Sequence, residues 1–487
     1  MKASERNAHY ENLRELVFHA GEQFPQTQFY LSADPDLPFI TGQALLDACG
    51  QFGSWINRRG QSGCHVALLG PNSAAWLTCF FAAVSSGCAA VPLYYGSPLE
   101  DQVYCLARSD SAILLYDKRC EKDAIALRDR QPGLEIFEMH ALLYDLDTIE
   151  EPYFPPLRPD DPCALFFTSG TTEQSRCVIL TNRNLGAMTS TAMNILPLSA
   201  KDTGLSVMPP SHTFEMMTNI VGALHCGGTL YINQSLRTVK ANLKKHEPTV
   251  IVSVPLMLQM LQKEILREVR RKGRTAQFEK ALQVNAMLRR FRIDISKKLF
   301  AEVYAVLGRN LKYFICGGAA LDPELISFFD GLGITVIQGY GITECSPIVS
   351  CNTPTHNRPG SIGRVFPPVR SRSATARSAC AARASRPGTT TTRRPPPSPS
   401  AKAGSTRATW AISTRTVICS TPAGAKISSC CRTAKTSPRR RWSRSSTAWR
   451  ASSTRWCMSA RGASSPRSTR TRSCSRTGTP SGARSAA

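Results

Sequence analysis

The order of apolar and polar positions predicts an alternating α/β protein over most of the chain. Short apolar runs alternate with stretches of helical spacing, as in a doubly wound sheet. Val66–Leu69, Ala89–Leu93, Ala112–Tyr116, Leu165–Phe167, Gly204–Met208, Thr229–Ile232, Thr249–Val254, Tyr313–Cys316 and Thr335–Gln338 read as buried strands. The span from Val66 to Leu99 carries no charge, but Pro71, Gly87 and Pro92 divide it. It reads as a strand, a turn at 70–72, a helix over Ser73–Ser86 and a second strand, a βαβ unit rather than a membrane span. A long helical stretch separates Val254 from Tyr313. Its part from Lys263 to Arg309 holds 13 basic and 5 acidic residues. A solvated helical face is the preferred reading, and a basic surface that meets anionic lipid is the alternative.

After Val369 the pattern ends. Residues 371–487 contain no Leu, Asp, Glu, Phe, Tyr, Asn, Gln or His. Such a segment has too little apolar surface to offset its chain entropy, and the expectation is disorder. It also carries 24 of the 60 Lys and Arg residues and none of the 35 Asp and Glu. The first 370 residues are left with 36 basic against 35 acidic, so the +25 of the whole chain belongs to this tail. No nucleic-acid footprint follows for the body of the protein. The domain reading is therefore a large domain over 1–369 and an Arg/Ser/Thr-rich tail over 370–487.

Twelve of the 18 cysteines lie before residue 371, scattered, without a C-x-x-C pair or His/Cys cluster. Buried free thiols in a reducing, cytoplasmic compartment are expected, rather than a disulfide framework or zinc site. Met1 to Gln26 is polar and amphipathic and lacks the apolar centre of a signal peptide.

Candidate chemistry begins with T-S-G-T-T at 168–172, between an apolar run ending at Phe167 and another at Val178–Leu180. Small hydroxyl residues with a glycine can present N–H and O–H groups to a phosphate. Alone, the loop is equally a polar turn between strands. Three further segments join it: P-P-S-H-T-F-E at 209–215, I-C-G-G-A-A-L at 315–321 and Q-G-Y-G-I-T-E-C-S-P at 338–347. V-P-L-Y at 91–94 and R-P-G-S-I-G-R at 358–364 accompany them. In this order and spacing they resemble the adenylate-forming (AMP-binding) family of acyl-CoA synthetases, firefly luciferases and peptide-synthetase adenylation domains. The resemblance covers about residues 10–369.

That resemblance implies a large N-terminal domain of doubly wound α/β subdomains with a small β subdomain. It also implies a two-step reaction: transfer of a carboxylate to the α-phosphate of ATP, then attack by a thiol, usually of coenzyme A. By resemblance Thr168, Ser169, Gly170, Thr171 and Thr172 cradle the β- and γ-phosphates, with Arg176 in place of a lysine. Thr343 bonds the α-phosphate, and Glu344 holds Mg²⁺. Tyr340, followed by Gly341, stacks on adenine opposite Gly317, Gly318 and Ala319, and His212 lies between adenylate and acyl group. Thr172, Thr343, Glu344 and His212 are the catalytic set so implied. Singly, Tyr340 reads equally as a half-buried aromatic and Glu344 equally as a helix N-terminal charge, while for His212 a satisfied core histidine is the preferred reading. Together and in this order, the functional reading is preferred for Tyr340, Thr343 and Glu344.

The family loop usually runs T-S-G-T-T-G-x-P-K-G. Here Glu173 and Cys177 replace glycines, and Asn182 stands where histidine is common. Glu173 removes backbone freedom and adds a negative charge near phosphates. The family's later T-G-D motif, hinge and small C-terminal domain do not appear. Reading the tail one frame over, Thr406–Val417 permits Thr-Gly-Asp-Leu-Gly-Tyr-Leu-Asp-Ala-Asp-Gly. Ala423–Trp442 permits a stretch beginning Arg-Gly-Lys-Asn. Both suit the family, which points to one frame change near Val369–Ser373 and an out-of-frame stop after Ala487. The chain as it stands is then expected to bind ATP weakly and hardly turn over.

Within the family, the helical stretch before Tyr313 and the P-P-S-H-T-F-E segment look most like long-chain fatty-acyl-CoA synthetases. Expected substrates are a fatty acid, ATP and coenzyme A, with acyl carrier protein as alternative acceptor and peripheral membrane contact left open. The competing readings are a non-catalytic nucleotide-binding remnant and a basic-tailed RNA-binding protein.

Overall fold

The computed structural model describes residues 9–168, 175–193, 195–196, 198–291 and 293–366. The tail over 370–487, with its expected disorder and frame change, and loop residues Ser169, Gly170, Thr171, Thr172 and Glu173 lie outside them.

Two sheets organise the described chain. The first has six strands: β1 (His65–Leu69), β2 (Ala89–Leu93), β3 (Ile113–Tyr116), β4 (Glu135–Glu138), β5 (Pro162–Thr168) and β6 (Arg176–Thr181), in the order β4-β3-β1-β2-β5-β6. All pairings are parallel except the last, where β6 turns back along β5. The second has seven: β7 (Thr203–Ser206), β8 (Thr229–Ile232), β9 (Val250–Ser253), β10 (Tyr313–Cys316), β11 (Thr335–Gly341), β12 (Ile348–Cys351) and β13 (Arg364–Val365), ordered β8-β7-β9-β10-β11-β12-β13. Its first five strands are parallel, and β12 and β13 add an antiparallel edge.

The expected βαβ unit is present. β1 and β2 flank the helix Ala74–Ser85, which Ser73 opens by accepting from the Trp76 N–H, and all twelve helical residues are buried. A helix apolar all round belongs inside a core, here with Phe29, Tyr30 and Phe52. Among the described residues no helix is long and apolar enough to cross a membrane. The expected strands are found with small shifts. β7 stops at Ser206 instead of Met208, freeing the segment that follows, and β11 runs on to Gly341, so Tyr340 sits on a strand.

The stretch between Val254 and Tyr313 is helical: Pro255–Arg271, Thr275–Arg290, Ser296–Leu299 and Ala301–Leu307. Several of its bases meet acids at the surface, among them Lys272 and Arg274 on Glu302 and Arg271 on Glu268. That pairing accords with a solvated face.

Candidate active site

The carboxyl ends of parallel strands are where an open α/β sheet leaves a crevice, above all where the chain reverses its direction of travel across the sheet. In the second sheet that reversal falls between β7 and β9. Three of the segments singled out in the sequence leave the sheet at this end.

The first, Val207 to Glu215, follows β7. The His212 carbonyl accepts from the Met216 N–H at 3.1 Å, starting a helical segment that runs on to Cys226. Its turn over Met216–Ile220 is a π-helix, a form frequent at functional sites. The second follows β10. Gly317 is buried, and a Cβ there would stand 3.0 Å from the Phe214 ring, so these two segments meet in tight contact. Gly318 has φ +80°, which favours glycine. The third is the end of β11. Cys316 pairs with Gln338, which brings Gly317 and its successors beside Gly339 and Tyr340. Tyr340 is half-buried. A Cβ on Gly341 would lie 1.9 Å from the Pro347 carbonyl oxygen, so the tight return to β12 requires glycine.

Thr343 joins the walls. Its Oγ1 lies 3.1 Å from Thr213 Oγ1, linking the segment after β7 to the segment after β11. Glu344 is exposed beside it. The β6 strand, which begins at Arg176, packs against the turn Thr343–Cys345. Thr168 pairs with Arg176 where β5 and β6 meet. Arg176 is exposed.

The first sheet contributes a wall as well. Asn72, just past β1, donates to the Met208 carbonyl at 2.8 Å and reaches Ser206 Oγ at 3.5 Å. Tyr94, just past β2, lies with its ring 6.5 Å from that of His212. His212 is solvent-accessible at the crevice mouth, yet surrounding protein desolvates the ring and lowers its pKa. It is therefore not a histidine sealed in the core.

Sequence reasoning assigned no role to Glu215, although it stands three residues beyond His212. The side chain has no solvent exposure. Asn219 donates to its Oε1 at 2.9 Å, the Ser206 hydroxyl adds a second bond, and Oε2 has no partner. Burial pushes its pKa up to about 8, the two hydrogen bonds offsetting only part of that. Asn219 also lines a small cavity of about 30 Å³ between the helical segment and the face of the second sheet. Leu198, Leu230, Val250, Val252 and Ile315 give it an apolar wall. Val250, Val252 and Ile315 form one cluster with Met208 and Phe214, so an apolar strip runs from beneath the crevice into the cavity.

The comparisons agree with this geometry. A model of the family described as "AMP-binding enzyme" matches residues 17–373. The chain is similar to long-chain-fatty-acid–CoA ligase 5 of Rattus norvegicus, 24% identical over 374 residues, 68% of this chain and 54% of that protein. It is similar to the chloroplastic long-chain-fatty-acid–[acyl-carrier-protein] ligase AEE15 of Arabidopsis thaliana, 27% identical over 42% of this chain and 33% of that protein. Among solved structures, VinN with L-aspartate superposes with a TM-score of 0.60 at 20% identity, over 74% of this chain and 84% of that one. The chain spans about half the length of the curated relatives first matched. The matched span takes in both sheets and every crevice segment described above, and the chain belongs to the AMP-binding enzyme family.

Proposed function

We propose that this chain carries the large domain of an ATP-dependent fatty-acid ligase, which takes a carboxylate to acyl-AMP and then to a thioester with coenzyme A, and that the chain as it stands is impaired in turnover. A carboxylate oxygen attacks the α-phosphorus and pyrophosphate departs. A thiol sulfur then attacks the acyl carbon and AMP departs. One observation carries the reading, the convergence of His212–Phe214, Gly317–Ala319 and Tyr340–Glu344 at the carboxyl ends of parallel strands of one sheet.

In this reading adenine lies between Tyr340 and the backbone of Gly317–Ala319. The Thr343 hydroxyl serves the α-phosphate, and the 168–172 loop with Arg176 serves the outer phosphates. Glu344 offers an exposed carboxylate beside the Thr343 hydroxyl, a hard-oxygen set that suits Mg²⁺. A lone carboxylate fits, because Mg²⁺ keeps several waters and takes substrate phosphates as ligands. It would neutralise phosphate charge there. The acyl chain follows the apolar strip past Phe214 into the cavity beside Asn219. Similarity to long-chain ligases supports a long chain.

The test is fatty-acid-dependent exchange of labelled pyrophosphate into ATP, first alone and then with each acceptor. Exchange with thioester formed only on coenzyme A upholds the reading. Thioester formed only on a carrier protein favours the second reading, which the resemblance to AEE15 supports. ATP binding without exchange means a nucleotide-binding remnant. We further propose the frame change near Val369–Ser373, on the composition of 371–487. Resequencing the coding DNA from Val365 through Thr390 separates its two sources: an added or missing nucleotide restores the T-G-D and hinge segments and an intact synthetase, and a confirmed sequence means a truncated large domain with a basic tail from a decaying gene. Peripheral membrane contact finds support in exposed Met287, Phe291, Ile293 and Leu299 near Lys297 and Lys298.

A further inference from the structure

At the opposite end of the first sheet, two cysteines meet. Cys64 and Cys88 immediately precede β1 and β2, which are parallel with His65 opposite Ala89. The ladder continues one step further, since the Ala89 N–H donates to the Cys64 carbonyl at 3.1 Å. Cys64 and Cys88 are thus neighbours in register, and both pack into the core on the face that holds Val66, Leu68 and Ala90. Their sulfurs lie 4.0 Å apart in a thiol–thiol hydrogen bond. Adjacent strands run about 4.8 Å apart, inside the roughly 4.4–6.8 Å between Cα atoms that a disulfide spans. Closing the bond therefore needs side-chain rotation and no movement of the sheet.

The two thiols differ in access. Cys88 is buried, with 1% exposure. Cys64 is only partly buried and follows the turn Gly60–Gly63. Gly60 and Gly63 both have positive φ, and nothing lies within 4 Å of where a Cβ would stand on either. That side is open to small solutes. The hydrogen bond with Cys88 holds the Cys64 thiol below its ordinary pKa, and the same bond raises that of Cys88. Glu135 works against the first shift.

We propose that Cys64 and Cys88 form a reversible redox site, closed to a disulfide by hydrogen peroxide. The Cys64 sulfur attacks the peroxide O–O bond, giving Cys64 sulfenic acid and water. The Cys88 sulfur then attacks the Cys64 sulfur, loses its proton and expels a second water. Two thiols lose two electrons and two protons, and the peroxide takes both. A dithiol reductant reverses the step by thiol exchange. Cys64 is the attacking thiol, because it is the less buried and more acidic of the two.

The test uses the full chain, exposed to stoichiometric hydrogen peroxide and then alkylated. Trypsin leaves both cysteines in one peptide, so digestion with chymotrypsin, which cuts after Trp76, Phe80 and Phe81, is needed to part them. The expected product is a linked pair of peptides holding Cys64 and Cys88, lighter by about 2 Da and separated again by dithiothreitol. In Cys88→Ala the expected product is Cys64 trapped as a dimedone adduct, with no linked pair. Should the Cys88 variant fold poorly, Cys64→Ser at the more exposed position must abolish the linked pair by itself. Full alkylation of both thiols after peroxide overturns the proposal. So does oxidation of Cys64 to sulfinic acid in the unsubstituted protein, or its pairing with a different cysteine.

Discussion

The helix Ala74–Ser85 and the helical segment Thr213–Cys226 occupy similar places and have opposite characters. Each lies just beyond the strand from which its sheet is wound, β1 or β7, and each is almost wholly buried. The first is a regular α-helix whose interior partners are apolar. The second breaks into a π turn, buries Glu215, Thr218, Asn219 and His225, and borders a cavity. Both elements bury polar atoms without partners, Trp76 Nε1 and Ser85 Oγ in the first and Glu215 Oε2 and Thr218 Oγ1 in the second, but only the second buries a carboxyl group, whose lost water weakens a fold most. One element is built for packing. The other gives up packing to hold polar atoms between a crevice and an apolar strip.

Trp76→Ala should break the first element most. Trp76 has no exposure and stacks on Phe80 with ring centroids 5.9 Å apart. Loss of the ring should cost about 3–5 kcal/mol, read as a lower urea midpoint with little change in slope. A loss below about 1 kcal/mol would mean that this helix is not the rigid core it is taken to be.

Thr343→Val should act in the other sense. It removes the hydroxyl facing Thr213 at 3.1 Å while keeping the shape of a half-buried side chain. Stability should change little. Affinity for ATP, measured by calorimetry, should fall by about 1.5–3 kcal/mol if that hydroxyl bonds a charged phosphate. Unchanged affinity would remove Thr343 from the phosphate site.

The two elements were also unequally legible in the sequence. An uncharged run cut by Pro and Gly can only be buried, so β1, its helix and β2 fall close to where the pattern places them. Tyr313–Cys316 and Thr229–Ile232 match to the residue. By contrast β4, Glu-Ile-Phe-Glu, is half-buried throughout and gives neither alternation nor an apolar run. The motif segments announced the crevice, but not which atoms meet in it. The tight fit at Gly317 comes from Phe214, a hundred residues away, and Asn72 acts across two sheets. No local period encodes such contacts. Glu215 was hidden for the same reason: a glutamate in a short polar segment reads as solvated until the tertiary fold covers it.

Measured per pH unit, Glu215 gives the smallest effect, and it gives the sharpest contrast. Its ordinary pKa is 4.5, and in the folded protein it is raised to about 8. Below the lower value both states hold the proton, and the group does not discriminate between them. Between the two values the unfolded chain has released a proton that the folded chain keeps. Stability must then fall as pH rises, by roughly 1.4 kcal/mol per pH unit at most for one proton. Above the upper value the penalty levels off. His212 and His225 work in the opposite direction, since burial lowers both and His225 sits at about 4. Their contribution rises with pH until the unfolded imidazoles have lost their protons. The pH profile of the protein alone therefore mixes the terms. Glu215→Gln keeps the side-chain shape and an oxygen for the Asn219 amide and removes only the ionisation. The difference in unfolding free energy between protein and variant should fall steadily from about pH 5 to pH 8, leaving the variant the more stable at the upper end. A difference independent of pH would mean that the carboxylate is ionised in place, and that the segment beside the cavity is wetter than its burial implies.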